Sequence, residues 1–241
     1  MSEAFYRQVE VLDNERHRNL CLNLPGDMRH ARNLRDCPVL VDEFYAAARH
    51  YPIVFARMAS GELMSAVVLG WPGSTNLWLD ENARWRDDAY VPAYVRRYPF
   101  VVLASDASAY IGIDRAYAGW STESGLPLFD ASGDYSEALM RAGMFLDEYV
   151  ASHARTRVYL NALQRLDLLR PFGAEIGDGA AGRRLENMLC VSAEALDRLS
   201  SCELLDFVRA GHYALTVAHQ MSLDNFKVLA DLDAADSNAH S

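Results

Sequence analysis

Apolar and polar residues alternate over short segments in the first half of the chain. Alternation with a period of two predicts β-strands, and turn residues separate the segments. The clearest pair covers residues 53–58 and 63–71. Ser60-Gly61 lies between them, so we interpret this region as a β-hairpin. Further strands are predicted over residues 5–12, 19–24, 76–80, 100–105 and 109–114.

The hydrophobic period changes in the second half of the chain. From Ser136 to about Leu169, apolar residues recur every three or four positions, which is typical of one or two amphipathic helices. Residues 174–191 are interpreted as a hairpin turned by glycines, after a loop over residues 116–134. Other helices are predicted over residues 39–50, 91–97, 193–199 and 202–230.

The order of these elements predicts an α+β fold. We expect a mainly antiparallel sheet from the N-terminal half, packed by C-terminal helices. No linker rich in Pro, Ser or Gly divides the chain, so residues 1–230 are predicted to form a single domain. Residues 231–241 are polar and are predicted to form a flexible tail.

Composition narrows the class of protein. The chain has 241 residues and is 51% hydrophobic, which predicts a substantial core and excludes global disorder. Its formal net charge of -10 gives no general attraction to nucleic acid or anionic lipid. No apolar run is long enough for a membrane helix and the N-terminus lacks a signal-like apolar region, so we expect a cytoplasmic protein without membrane insertion. The four scattered cysteines are predicted to stay reduced.

The sequence offers few motifs that carry chemistry. Residues 177–182 read GDGAAG, a literal GxGxxG, but a dinucleotide site needs a strand before this string and a helix after it. Since residues 183–191 have strand character, a hairpin loop is the favoured interpretation and the nucleotide site the alternative. The sequence contains no HExxH, GxSxG, P-loop or Cys/His ligand spacing. No cofactor and no metal site are therefore predicted.

Two histidines lie on the C-terminal helical segment. His212 and His219 are seven residues apart, whereas metal-binding pairs on helices prefer a spacing of four. A buried structural histidine is the favoured interpretation of His219. The alternative is a role in a functional site.

Residues 76–100 are the richest candidate for recognition. Tryptophan and arginine together are typical of binding surfaces, where they supply contact area, stacking and forked hydrogen bonds. The candidate binding residues of this segment are Trp78, Trp85, Tyr90, Arg96 and Arg97. The structural interpretation, which the residues favour slightly, places the aromatic rings in the core and pairs the arginines with Asp87, Asp88 or Glu81. Because adjacent helical residues point about 100° apart, the two arginines are predicted to have different roles.

The same segment carries a family resemblance. Residues 51–100, which end in the string RRYPF, resemble the SapC family. Similar blocks follow at residues 125–130 (GLPLFD) and 218–223 (AHQMSL), and the resemblance spans most of residues 40–230. The chain lacks the glycine that commonly precedes the family's tryptophan, here Trp85, so the turn at this point is expected to differ in shape.

The resemblance implies a bacterial context and an association with surface-layer proteins, without a reaction or catalytic residues. Two functions remain open. The favoured one is a non-catalytic accessory or binding protein that recognises a protein or peptide partner, linked to bacterial surface-protein biogenesis. A second copy of the chain is a further partner to consider. The alternative is an enzyme with a site near residues 76–100 and His219.

Overall fold

The computed structural model describes residues 5–24, 26–86, 88–104, 109–177 and 182–239. Its strands are β1 (Val9–Val11), β2 (Cys21–Leu22), β3 (Asp36–Pro38), β4 (Ile53–Arg57), β5 (Leu63–Val68), β6 (Phe100–Ala104), β7 (Ala109–Asp114), β8 (Trp120–Ser121), β9 (Leu126–Pro127), β10 (Leu169–Ile176) and β11 (Arg183–Val191). Its α-helices are α1 (Phe44–Ala47), α2 (Ala93–Arg96), α3 (Glu137–Arg165), α4 (Ala193–Asp197), α5 (Ser201–Arg209), α6 (His212–Ser222) and α7 (Asn225–Ala239). Antiparallel strands lie mostly in the first half and helices in the second, which confirms the α+β prediction.

The largest sheet has five antiparallel strands in the order β10-β11-β4-β5-β3. The predicted β4–β5 hairpin is confirmed. Gly61 adopts a φ of 86°, which a glycine reaches without steric cost, and the Met58 N–H donates to the Glu62 carbonyl at 2.8 Å. Two three-stranded sheets, β1-β7-β6 and β8-β2-β9, complete the β structure of the described residues.

The predicted hairpin over residues 174–191 is also confirmed, because β10 pairs with β11 antiparallel. A strand, rather than a helix, therefore follows the GxGxxG string. The central residues of that string, 178–181, lie outside the described residues. Without a helix N-terminus after the glycines, the arrangement that binds a pyrophosphate is not formed.

Residues 76–80 do not form the predicted strand. The Asn76 side chain accepts a hydrogen bond from the Trp78 N–H at 3.0 Å and donates to the Ala31 carbonyl at 3.2 Å. These bonds hold the segment as a buried turn. Its β pairing is an isolated bridge between Leu79 and Trp85. Local side-chain bonds to the backbone thus outcompete the extended pairing that the apolar pattern favours.

The C-terminal region differs from the prediction in two ways. The segment predicted as one helix over residues 202–230 contains three helices, and Gly211, with a φ of 77°, separates α5 from α6. The final helix continues to Ala239, where the sequence predicted a flexible tail from residue 231. Packing explains this, because Leu229 is fully buried and the buried Asp233 pairs with Arg183 of β11. Residues 240–241 lie outside the described part of the chain.

The main core cluster joins the large sheet to the helices. Ile53 and Phe55 of β4, Tyr159 and Leu163 of α3, and Phe207 of α5 all belong to it. The Tyr159 hydroxyl hydrogen-bonds to the Thr216 hydroxyl of α6 at 2.9 Å, which connects the two helices inside this core. The four cysteines, Cys21, Cys37, Cys190 and Cys202, are free. In the described part of the chain no helix is both long enough and apolar enough to span a membrane.

Candidate functional site

The two tryptophans of the predicted recognition segment lie in the core. Trp78 is 6% exposed and Trp85 is 8% exposed. The Trp85 Nε1–H donates to the Tyr51 hydroxyl at 2.8 Å, whereas the Trp78 Nε1–H is buried without a hydrogen-bond partner. Both rings pack against Tyr51 or its hydroxyl beneath the surface, so they do not offer contact area to a partner.

Tyr90 and Arg96 are accessible but engaged with their neighbours. The Tyr90 hydroxyl donates to the Glu43 carboxylate at 3.0 Å and accepts from Arg96 Nη2 at 2.9 Å. Arg96 is exposed, donates from Nε to the Val91 carbonyl, and places its guanidinium over the rings of Tyr90 and Phe145.

The predicted acidic partners of the two arginines are not found among the described residues. No guanidinium nitrogen of Arg96 or Arg97 lies within 4.0 Å of a carboxylate oxygen of Asp88 or Glu81. Asp87, the third predicted partner, lies outside the described residues.

Glu43 is a buried carboxylate that organises this region. Its Oε2 accepts from the Leu40 N–H at 3.0 Å, and its Oε1 accepts from the Ala93 N–H at 2.7 Å and from the Tyr90 hydroxyl. The carboxylate therefore satisfies backbone donors at the start of two helical turns. It fixes α2 and, with it, the direction of the arginines that follow.

His219 is fully buried, and both of its ring nitrogens bond to the backbone. The Val191 N–H donates to Nε2 at 3.1 Å, so Nε2 carries the lone pair and the protonated Nδ1 donates to the Ile53 carbonyl at 2.8 Å. Burial lowers the pKa of His219 to about 4. The imidazole therefore connects β4 and β11 as a neutral ring, with no nitrogen left for a substrate. Its hydrogen bonds and ring contact among the described residues go to Ile53, Phe55 and Val191, and none goes to residues 76–100.

Arg97 is the predicted site residue whose surroundings point to a ligand. Its guanidinium carbon lies 4.4 Å from the centre of the Tyr149 ring and 4.6 Å from that of Tyr94. A third ring, Tyr6, lies at 5.5 Å. The side chain is half-buried, and its Nε is buried without a hydrogen-bond partner. No carboxylate of a described residue lies within 4.0 Å of its nitrogens.

Arg97 lies on the wall of a groove between the large sheet and α3, which we call the Arg97 groove. Its volume is about 580 Å³. The strand side is formed by the β4–β5 turn and the segment after β3, and the helix side by one face of α3. The lining residues are Pro38, Val39, Leu40, Met58, Ser60, Gly61, Glu62, Leu63, Met64, Ser65, Tyr94, Arg97, Tyr149, His153, Thr156, Arg157, Leu160, Asn161 and Gln164.

The strand side of the Arg97 groove contains an open sheet edge. The Val39 N–H, directly after β3, donates to the Ser65 carbonyl of β5. In the antiparallel register of β3 and β5, every second residue of β5 turns its backbone N–H and C=O to this edge. The chain turns away at Val41, whose N–H donates instead to the Thr156 hydroxyl at 3.0 Å. Leu63 of β5 lies opposite Arg57 of β4 in a non-hydrogen-bonded pair. The backbone N–H and C=O of Leu63 therefore point away from β4, to the same edge as those of Ser65 but beyond the last residue of β3.

A second cavity of about 620 Å³, the His30 pocket, lies near the N-terminal segment. The His30 ring stacks on Tyr98 at 4.4 Å, bonds to the Val95 carbonyl, and keeps its Nε2 buried without a partner. Burial lowers its pKa to about 4, so the ring is neutral at pH 7. The charges of this pocket are largely matched, since Arg29 binds both carboxylate oxygens of Asp27.

Of the residues that line the Arg97 groove, the sequence identified Arg97 alone as a candidate site residue. Tyr94 lies within the aromatic segment 76–100 but was not among the candidate binding residues, and Tyr149 is one apolar position of a long helix. Leu63 was an ordinary strand residue, and nothing in its pattern shows that β3 ends too early to cover it. The described residues contain no cluster of three or more His, Cys, Asp or Glu side chains able to hold a metal ion.

Comparison with known proteins identifies a family for this chain. A family model described as SapC matches residues 12–229. No curated protein and no solved structure matches the chain significantly. Because the match covers most of the 241 residues, the chain belongs to the SapC family.

Proposed function

Starting from membership of the SapC family, we propose that this chain is a non-catalytic binding protein that recognises a protein partner through an extended peptide segment. The segment lies in the Arg97 groove and adds a short strand to β5 at Leu63. The observation that carries the proposal is the open edge, where the N–H and C=O of Leu63 point away from β4 and past the end of β3.

Strand addition suits the shape of this site. An extended peptide bonds to an exposed sheet edge through its backbone, and pockets for alternate side chains supply specificity. The opposite wall is α3, so a peptide lying along β5 is enclosed on both sides. The apolar side chains of Met58, Met64 and Leu160 line the groove and offer contact for the side chains of the segment.

The charge of the groove favours an acidic segment. Arg97, Arg157 and His153 line it, against the single carboxylate of Glu62. This local excess of basic groups contrasts with the net charge of -10 for the whole chain. A peptide is favoured over a nucleic acid because the remaining acidic surface repels a long phosphate backbone while a short acidic segment contacts only the groove.

The alternative of an enzyme with a site near residues 76–100 and His219 receives no support from the surroundings of His219. Its imidazole is buried and both nitrogens bond to the backbone. For the biological setting we extend the proposal to bacterial surface-protein biogenesis, on the cytoplasmic side, because the family name is associated with surface layers. Surface-layer proteins are the first partners to test.

The proposal is tested by selecting decapeptides from a random display library on the wild-type protein. Binding of each enriched peptide is then measured by fluorescence polarisation. Asn161→Trp places a bulky ring in the groove from an exposed position on α3, and Met144→Trp places the same ring at a 71% exposed position of α3 outside the groove. We expect at least tenfold weaker binding to Asn161→Trp and a change within twofold for Met144→Trp.

Two results would overturn the proposal. One is a selection without enriched peptides, or with peptides that bind both variants equally. The other is a single-stranded oligonucleotide that displaces the peptides at lower concentration than unlabelled peptide does, which would identify nucleic acid as the occupant.

A further inference from the structure

We propose that Arg97 binds a carboxylate group of the docked segment, so that the groove selects peptides carrying an acidic group at one fixed position. This inference rests on the proposed function for the identity of the ligand, but its chemistry follows from Arg97 and its surroundings alone.

The first argument is the absence of a counter-charge at Arg97 among the described residues. Arg155 binds Asp42 and Glu148, and Arg183 binds the buried Asp233. Arg97, although half-buried, has no carboxylate of a described residue within 4.0 Å. A guanidinium that is partly removed from water without an opposite charge gains strongly from an incoming anion.

The second argument concerns the tyrosines around Arg97, which hold the cation without neutralising it. Burial raises the pKa of Tyr6 to about 12, although the nearby Arg97 opposes the shift. Burial also raises the pKa of Tyr149 and of Tyr94. The rings are therefore uncharged at pH 7. Their faces attract the guanidinium through cation–π interactions and leave its positive charge available to a ligand.

The third argument concerns Glu43, a buried acid of this region, as an internal partner. The carboxylate of Glu43 already accepts three hydrogen bonds, from Leu40, Tyr90 and Ala93. Its oxygens are committed to holding the helical turns. Turning it toward Arg97 would leave backbone donors unsatisfied.

A carboxylate fits this site better than a phosphate. One arginine matches the single charge and planar fork of a carboxylate. The second arginine of the groove, Arg157, lies 4.0 Å from Glu62 and is already attracted to that acid. The carboxylate has two sources in a peptide, an Asp or Glu side chain or the C-terminus, and these are separated by the experiment.

The test uses the full chain labelled with ¹⁵N-arginine and observes the Nε–H signals by NMR. The Arg97 signal is identified by its loss in Arg97→Lys. Sodium propionate, neutral propionamide and inorganic phosphate are titrated at constant ionic strength. We expect a saturable shift of the Arg97 signal with propionate and none with propionamide. The Nε–H of Arg96, which donates to the Val91 carbonyl, serves as the internal control and should not move.

Peptides from the display selection supply the second measurement. In one set of peptides the acidic residue is replaced by its amide, and in another the free C-terminus is replaced by a C-terminal amide. The replacement that removes the carboxylate contacted by Arg97 should weaken binding at least tenfold. Arg97→Lys keeps the charge without the fork and should weaken the acidic peptide similarly, while Arg96→Gln should change its affinity less than twofold.

The inference is overturned if propionate leaves the Arg97 signal unmoved, if propionamide shifts it equally, or if phosphate saturates it at lower concentration than propionate does. Its failure is distinguishable from that of the proposed function. A propionate shift without peptide binding supports the carboxylate site and refutes peptide docking. Groove peptides that are insensitive to loss of their acidic group support docking and refute the role of Arg97.

Discussion

The guanidinium of Arg97 stacks on the ring of Tyr149, with 4.4 Å between the guanidinium carbon and the ring centre. Arg97 directly follows α2 and Tyr149 lies in the middle of α3, so this contact joins two elements across the groove wall. Among the described residues, aromatic faces rather than an acid hold the positive charge. We expect the stability of this wall to depend on that arrangement, and the proposal above extends the expectation to its affinity for an anion.

The first prediction concerns this stack. Tyr149→Phe removes only the hydroxyl and retains the ring face. It should change the free energy of unfolding by less than about 0.5 kcal/mol. Tyr149→Leu removes the cation–π partner and should cost about 1–2 kcal/mol more than Tyr149→Phe. Urea denaturation measures the stability of both variants. Tyr45→Leu, at a position where the tyrosine is 58% exposed, is the control. Equal stability of the two Tyr149 variants would show that the stack contributes nothing.

The second prediction compares the two buried tryptophans. Trp85→Phe and Trp78→Phe remove the same ring volume, but only Trp85 donates to the Tyr51 hydroxyl. We expect Trp85→Phe to be less stable than Trp78→Phe by about 1–2 kcal/mol, because the Tyr51 hydroxyl loses its donor in the core. Chemical denaturation of both variants tests this, and the reverse order would contradict the hydrogen bonding described above.

The third prediction concerns Glu43. In Glu43→Gln the amide nitrogen replaces one acceptor oxygen, so at least one of the donors from Leu40, Ala93 or Tyr90 loses its partner. The free energy of unfolding should fall by about 2–3 kcal/mol. The neighbouring Asp42→Asn, which breaks a surface pair with Arg155, should cost less than about 1 kcal/mol. A similar cost for both variants in urea denaturation would contradict the organising role of Glu43.

The fourth prediction is a loss of stability in mild acid. The pKa of His219 is about 4 in the folded protein, below its ordinary value near 6.5, so the unfolded chain binds the proton first as the pH falls. Stability is therefore retained above pH 6.5 and lost as the pH falls toward 4, by about 3 kcal/mol from this residue.

His219→Gln should be less stable than the wild type at pH 7 and should show a smaller loss between pH 7 and pH 4.5. Part of the loss should remain, because burial lowers the pKa of His30 in the same direction. Denaturation curves at several pH values provide the measurement, with the exposed His153→Gln as control. An unchanged pH dependence in His219→Gln would exclude His219 as its source.

The sequence predicts the local elements of this protein well where they depend on short-range pattern. The β4–β5 and β10–β11 hairpins follow from alternation and turn residues, and the short helix α2 lies within the helix predicted over residues 91–97. The errors arise where longer-range packing decides. Asn76 binds Ala31 and turns a segment that its apolar residues predict as a strand, and Asp233 pairs with Arg183 to extend a helix through a polar region.

The candidate site illustrates the same limit. The prediction that Arg96 and Arg97 face different directions agrees with the structure, where Arg96 is exposed and Arg97 half-buried. The predicted carboxylate partner of the inward arginine was replaced by rings from distant parts of the chain, Tyr6 and Tyr149. Sequence shows residue types, but it does not show which aromatic rings the fold brings around a charge.

The most direct test of peptide docking is amide hydrogen exchange at Leu63, measured by NMR with and without a saturating peptide from the display selection. The Met64 amide, which faces β4, is the internal control. Strand addition predicts that the bound peptide slows exchange of the Leu63 amide at least tenfold and leaves that of Met64 within about twofold. Unchanged exchange at Leu63 while the peptide is bound would contradict the account.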